Sequence, residues 1–382
     1  MTNTPSKARS TQEVAQGGSA VDTRPLPKQS RGNAQAASAP VIVAGDPANE
    51  GEHPAARASE KRRRAQLRRG IVCALAGGAL WGLSGACSQF LLSGYDVTPA
   101  FITCVRMLGS GIMFLALLAF ARRDTLAAML RDRASLLRLA IFGVGGLFLC
   151  QITYVTAVGY TNAGTATVLQ STCTIVIMAV TCVFTRKLPN AKEAVGLVCA
   201  LLATWLIATQ GNPAALALPA AGLLWGAANS LSCAFYIMYP KRLFERWGSL
   251  PVTGVGMLVG GIAALAFWIA EQAGLTAGGT AGAGAGAAAI ALPSLDATGI
   301  AVLVVIVVLG TFAAFALYLH GVSVVGPVTG GLLGTVEPAS ATICSALWLG
   351  TVFSPADWAG FALMMAMIVL VAFAKENPRA AE

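Results

Sequence analysis

Long apolar runs set the pattern of this chain. Stretches of about 20 residues, the length that crosses about 30 Å of hydrocarbon at 1.5 Å per helical residue, recur along it. They lie at 71–92, 99–121, 137–157, 163–184, 192–210, 217–238, 253–271, 299–319, 326–349 and 354–374, and they predict ten transmembrane helices in an all-α integral membrane protein. Residues 1–69 read differently: Pro, Gly, Ser, Ala and charges of both signs without apolar periodicity. Such a composition cannot offset the entropy of ordering and predicts a disordered tail. The first apolar run begins only after residue 70, so no cleaved signal is expected. The glycine- and alanine-rich segment 274–289 predicts a linker between the seventh and eighth helices.

Composition agrees with the pattern: 56% of the 382 residues are hydrophobic, 11% are charged, and the mean hydropathy is +0.69. A net charge of +9 raises nucleic acid as a partner, but the placement of the basic residues argues for a bilayer instead. Lys61, Arg62, Arg63, Arg64, Arg68 and Arg69 abut the first span, where they meet anionic headgroups. Every other basic residue beyond the tail except Arg106 falls in alternate loops or at the C-terminus. By the positive-inside rule this asymmetry predicts ten spans in a cytoplasmic membrane with both termini in the cytoplasm. The nine cysteines lie inside apolar runs with no C-x-x-C pair, and there are two histidines, so neither a metal site nor a cofactor is expected.

The chain repeats itself. Gly78 to Gly82 reads GALWG in the first helix, Gly222 to Gly226 reads GLLWG in the sixth, and Ser88 and Ser232 follow at the same distance. Tyr154 and Gly196 are matched by Tyr318 and Gly360 at a single offset. Repeats of five helices must enter the membrane from opposite sides, so the expected organisation is a tail at 1–69, two inverted five-helix repeats at 70–211 and 212–375, and a C-terminus at 376–382. Two such halves can exchange conformations about a midplane site, which is a transporter architecture. The G-x-x-x-G pairs Gly78/Gly82 and Gly222/Gly226 permit close helix contact.

Ten helices in two halves, each opened by G-x-L-W-G, with Arg106 in the second helix, Tyr154 and Tyr318 in the third and eighth, and Glu337-Pro338 in the ninth, resemble the EamA family of the drug/metabolite transporter superfamily. The resemblance covers residues 70–374 and implies a central cavity lined by both halves and export of a small metabolite, such as an amino acid, across the inner membrane. The chain departs from the family pattern at Thr174, where the first half often has proline, and around Arg186 and Thr351, where acidic residues are often seen.

Candidate site residues follow from polar groups at membrane depth, where they are costly and mark function by default. Glu337 is the foremost, and it can either bind and release a proton or tie helices together. Pro338 after it withholds a backbone N–H and frees a carbonyl. Trp81 and Ser88 share one face of the first helix, and Trp225 and Asn229 share one face of the sixth; each face suits either a cavity or bundle packing. Gln170 and Thr174 add a polar cluster on the fourth helix. For Arg106, two turns into its helix, the expected role is structural, snorkelling to headgroups or pairing with Asp96, with contact to a substrate carboxylate or phosphate as the alternative. No phosphate-binding G-x-x-x-x-G-K-[ST] loop is present, so transport driven by a gradient is expected. The rival readings are a proton-coupled importer or exchanger and, from another class, a membrane scaffold or intramembrane enzyme. Expected partners are a small solute, the lipid bilayer and protons, without nucleic acid.

Overall fold

The computed structural model describes residues 54–186, 188, 191–212, 216–274 and 292–375. Helix α1 spans Pro54–Gly94, which corrects the expectation of an irregular tail to residue 69. The basic cluster rides on the leading turns of α1 because Ala, Arg, Lys and Glu are good helix formers, and Glu60 pairs with Arg64 four residues on. Residues 1–53 lie outside the described residues, as does the expected linker beyond Gly274.

From α1 the chain runs through α2 (Pro99–Ala121), α3 (Arg123–Arg131) and α4 (Arg133–Ile141). A π-helical turn at Phe142–Phe148 joins α4 to α5 (Leu149–Tyr160) as one continuous rod, and α6 (Ala163–Ser171), α7 (Cys173–Thr185) and α8 (Ala191–Thr209) follow. The second part holds α9 (Ala220–Met238), α10 (Lys241–Trp247), α11 (Ser249–Gln272) and α12 (Ala297–Val307). A second π-helical turn, Val308–Ala313, leads into α13 (Ala314–Val325), then α14 (Pro327–Gly334), α15 (Val336–Leu349) and α16 (Pro355–Lys375).

Eight helical stretches among the described residues are long and apolar enough to cross a membrane, which makes this a multi-pass membrane protein. The stretch expected as a ninth span is broken at Thr335 between α14 and α15, and the apolar part of α16 is Pro355–Leu370.

Local chemistry places the ends. Thr98 caps α2 by accepting from the Phe101 N–H, with Pro99 at the first helical position. Asn162 Oδ1 accepts from Thr165 N–H at 2.8 Å to start α6, and Asp296 Oδ1 accepts from Gly299 N–H at 2.7 Å to start α12. Ser354 and Asp357 cap one another's backbone N–H groups ahead of α16. Gly350 ends α15 at φ 64°, a left-handed conformation that costs glycine nothing.

Irregularities fall at matching places. The rod α4–α5 carries a π turn, and so does α12–α13. The next stretch is broken at Thr172 between α6 and α7, and again at Thr335 between α14 and α15. Pro338 accounts for the second break, since it leaves the Gly334 carbonyl without its helical donor. At the first break Thr172 Oγ1 donates to the Leu169 carbonyl at 2.6 Å, so a hydroxyl does there what proline's geometry forces in the other.

Packing crosses between the two parts. α2 lies along α11 and α8 along α16, while α1 packs on α13 and α15, and α9 packs on α5, α6 and α7. Small residues set the approach. A Cβ on Gly111 would come within 2.8 Å of the Leu258 backbone on α11, and one on Gly261 within 2.9 Å of the Leu108 backbone on α2. The α2–α11 pairing is therefore a glycine seam on both sides, the close van der Waals packing that replaces a hydrophobic driving force in lipid.

Candidate functional site

The densest polar chemistry inside the bundle gathers where α1, α2, the Val308–Ala313 turn and α15 meet. Arg106 on α2 is 3% exposed. This overturns the expectation that it reaches for headgroups or pairs with Asp96. Its Nε donates to Thr311 Oγ1 at 3.3 Å and its Nη2 to Ser84 Oγ at 3.4 Å. The π turn is what presents Thr311: the hydroxyl donates in turn to the Ile306 carbonyl five residues back, at 2.8 Å, stabilising the widened backbone. Arg106 Nη1 has no hydrogen-bond partner, and among the described residues no carboxylate lies within ion-pair distance of this guanidinium.

Glu337 sits at the first turn of α15, half-buried, with the Gln170 side chain of α6 as a polar neighbour. Glu337, Tyr154 and Cys150 are the ionisable groups close enough to Arg106 to interact with it electrostatically. Tyr154 is buried on α5, its hydroxyl 3.0 Å from Thr167 Oγ1. A Cβ on Gly85 would collide with that phenolic oxygen, so glycine is what lets α1 approach here. Five of the predicted residues, Arg106, Tyr154, Gln170, Glu337 and Pro338, are thus brought to one region.

Trp81 lies next to this region. Its ring packs edge-on to Phe315 with centroids 4.8 Å apart and against Tyr318 at 4.7 Å, and its indole Nε1 is buried without a partner. Tyr318 donates to the Gly330 carbonyl at 3.1 Å. Ser88 is fully buried but its hydroxyl is spent on the Ser84 carbonyl of its own helix, at 2.9 Å.

The predicted residues of the sixth helix do not join this group. Trp225, on α9, is 38% exposed and makes no ring contact with the Trp81 cluster. Asn229 is fully buried, but its Nδ2 donates to the Cys150 carbonyl at 2.8 Å and to Thr153 Oγ1 at 3.2 Å, tying α9 to α5. Thr174 is half-buried in the first turn of α7. The four motif glycines also differ. A Cβ on Gly82 would overlap Ser340 and the α15 backbone, and one on Gly222 or Gly226 would press on side chains of Thr161 or Leu169 at 2.7 and 2.6 Å. A Cβ on Gly78 would meet only ordinary contact at 3.5 Å.

Two clusters escape sequence reasoning. Gln89 on α1 accepts from the Ala163 N–H that opens α6 (2.9 Å) and from Ser345 Oγ on α15 (3.0 Å), and donates to Thr351 Oγ1 beyond α15 (3.1 Å). One amide thereby clamps three segments at one end of the bundle. Close to it, a Cβ on Gly164 would come within 2.8 Å of Thr342 Oγ1. Elsewhere Cys233 on α9 contacts both Cys150 on α5 and Cys173 on α7, all three as free thiols. A signal for Gln89 existed: an amide well inside an apolar run. For the thiols there was none, because their sequence separation hides their meeting.

Two cavities lie outside the Arg106 region. One of about 300 Å³ is lined by apolar atoms of residues including Leu83, Cys87, Val302 and Trp348, and one of about 550 Å³ is lined by residues including Met238, Lys241, Phe244 and Ser249. Among the described residues no group of three or more His, Cys, Asp or Glu side chains is arranged to hold a metal ion.

Comparison with known proteins bears on this arrangement. The family model described as EamA-like transporter family matches residues 68–209 and again residues 220–373. A protein of Salmonella typhimurium described as "Uncharacterized inner membrane transporter YicL" is 32% identical over 315 residues, covering 82% of this chain and 99% of that protein. A solved structure, titled only "Crystal structure of protein", superposes with a TM-score of 0.54 at 15% identity, covering 80% of this chain and 99% of the other, which is a likeness of fold.

Proposed function

The chain belongs to the EamA-like transporter family, and from that premise we propose that it is a secondary carrier of a small organic metabolite, working by alternating access with net movement outward across the cytoplasmic membrane. The helices form ten spans, with α14–α15 and α16 as the ninth and tenth, in two inverted repeats at 70–211 and 212–375, and both termini are cytoplasmic. Support comes from the two matches to one family model, the paired π turns, the paired breaks at Thr172 and Thr335, and the basic residues confined to alternate loops.

The observation that carries the reading is the buried polar group formed across the two halves: Arg106 and Ser84 from the first, Thr311 and Glu337 from the second, with Gln170 beside Glu337. Polar side chains at this depth are retained against their cost when they serve a pathway. The crossed packing supplies the motion. α1 is fastened to α13 and α15 of the other half, so the half-to-half seam runs through the polar group itself, and rocking about it would uncover the group from alternate sides. In the present arrangement the Gln89 clamp closes the end at which α6 begins and α15 terminates.

A second reading, proton-coupled exchange, is favoured by one observation: Glu337 stands beside Gln170 and within electrostatic range of Arg106, in reach of both halves. The test is counterflow in liposomes loaded with candidate metabolites, with uptake of the matching labelled tracer followed in time. Uptake above that of empty liposomes, reduced at least tenfold in Glu337→Ala, is the expected result. A Glu337→Gln protein that exchanged solute with an unaltered response to pH would remove this carboxyl from coupling. A broad solute panel showing no exchange in folded protein would return weight to a scaffold or enzyme.

A further inference from the structure

We propose that the solute presents an oxyanion, a carboxylate or a phosphoryl group, and that Arg106 Nη1, Thr103 Oγ1 and Trp81 Nε1 form the donor set that receives it. The proposal rests on the carrier reading and names its substrate class.

Buried polar atoms in folded proteins are hydrogen-bonded with few exceptions, so each orphan asks for an explanation. Four side-chain atoms in the described part are buried without a partner: Trp81 Nε1, Thr103 Oγ1, Arg106 Nη1 and Asn229 Oδ1. Three of them sit on α1 and α2, the two helices that the Arg106–Ser84 bond joins. Thr103 and Arg106 are three residues apart on α2 and share a face, as Trp81 and Ser84 do on α1. The Arg106 Nη2 bond to Ser84 joins those two faces. The Trp81 ring packs on Phe315, one turn beyond the Thr311 that takes Arg106 Nε. Thr103 is fully buried and Arg106 nearly so.

The chemistry of the three orphans is of one kind. An indole N–H donates only, a guanidinium N–H donates only, and the hydroxyl can donate. A neutral amide or alcohol would return donors to this set; an oxyanion brings acceptors alone. The charge makes the same demand. Arg106 has only two neutral hydroxyls as partners, at 3.3 and 3.4 Å, both long for bonds from a cation. A guanidinium taken out of water without an ion pair is costly, and a bound oxyanion in bidentate contact is the partner its fork is shaped for. Thr311 does not need the arginine, since its own proton already goes to the Ile306 carbonyl. The orphan acceptor Asn229 Oδ1 belongs to an amide whose Nδ2 is bonded to the Cys150 carbonyl and Thr153 of α5, and as an acceptor it adds no donor to this set. The set is closed here, so the anion arrives with the opening that alternating access already requires.

The experiment uses the purified full chain in detergent and follows its thermal unfolding with acetate, benzoate and inorganic phosphate, each beside a neutral probe: acetamide, benzamide and glycerol. At least one oxyanion should raise Tm where its neutral counterpart does not, which also separates carboxylate from phosphate as the preferred head group. Arg106→Gln should weaken that stabilisation at least tenfold in ligand concentration, while its ligand-free Tm stays at or above that of the parent protein because an unpaired buried cation has been removed. Arg106→Lys should recover part of the anion response, having the charge without the fork. Equal stabilisation by anion and neutral probe, or anion stabilisation unchanged in Arg106→Gln, overturns the proposal. So does an Arg106→Gln protein with a lowered Tm alongside a parent that ignores every oxyanion, since the arginine is then a structural cation. Counterflow separates the two readings: exchange of neutral solutes that survives Arg106→Gln keeps the carrier and discards the anion, whereas anion binding without any exchange keeps the site and discards the carrier.

Discussion

Helices α1 and α9 carry the same motif, yet the structure treats them differently. Trp81 is wedged against Phe315 and Tyr318 of the opposite half, while its counterpart Trp225 is 38% exposed. Seven residues after Gly82 stands Gln89, clamping α6, α15 and Thr351; seven after Gly226 stands Cys233, touching two other thiols. In α2 Arg106 is buried in the polar group, and in α11, where Met257-Leu258 repeats Met107-Leu108, the matching position is Gly256. The scaffold is repeated down to its π turns and helix breaks, but the chemistry is confined to one copy of each feature. Under the alternating access we propose, duplication would supply a hinge that works from both sides, while a single solute would need only one set of recognising groups.

The largest expected contrast is between the tryptophans. Trp81→Ala should cost about 3 kcal/mol by opening a void against two aromatic rings, and Trp225→Ala a small fraction of that, read as Tm in detergent. Equal losses would break the comparison. The motif glycines sharpen it at the next level. Gly82→Ala drives a methyl into the α15 backbone and should cost about 1–3 kcal/mol, whereas Gly226→Ala meets the Leu169 side chain, which can rotate away, and should cost less.

The clamp comes third. Gln89→Ala removes three hydrogen bonds, each worth about 0.5–1.5 kcal/mol net, and water at a helix end replaces part of them. A loss of about 1–2 kcal/mol is expected, together with faster labelling of a cysteine placed at Thr342. Cys233→Ala should leave that labelling unchanged.

The smallest effect lies outside the membrane. Asp132, between α3 and α4, accepts from Ser135 Oγ at 2.7 Å and pairs with Arg246 beyond α9 at 2.8 Å, while Trp247 Nε1 donates to Ser135. The Ser135 hydroxyl first, and then the Arg246 charge, hold the Asp132 carboxyl below its ordinary 3.8. A depressed folded value contributes stability above the unfolded value and loses it as pH falls through the folded one. The contribution is therefore intact at neutral pH and fades below about pH 4. Asp132→Asn should flatten the Tm profile over that acid window and leave it nearly unchanged at neutrality.

Much of this was written in the linear pattern. Apolar length predicts the membrane helices because each must satisfy its own backbone in lipid, a local requirement that a local run of residues meets. The G-x-L-W-G repeat, the Glu337-Pro338 break and the polar residues within spans are likewise visible one segment at a time. Residues 54–69 join α1 for the complementary reason: Ala, Arg, Lys and Glu propagate a helix with no apolar face to announce it.

Which polar residues meet could not be read that way. Arg106 looks from its position like a residue near a helix end. Only the packing of α1, α2 and the Val308–Ala313 turn, 205 residues away at Thr311, seals it from water and leaves one nitrogen unpartnered. Ser84, Gln89 and the three thiols carry no motif and acquire their meaning from neighbours on other helices. The sequence by itself determined the helices, their repetition and the cost of each polar group at depth, because these depend on short-range propensity and transfer from water. The tertiary structure alone decided which copy of each repeated position faces the seam, because in lipid that choice rests on side-chain fit between helices far apart in the chain.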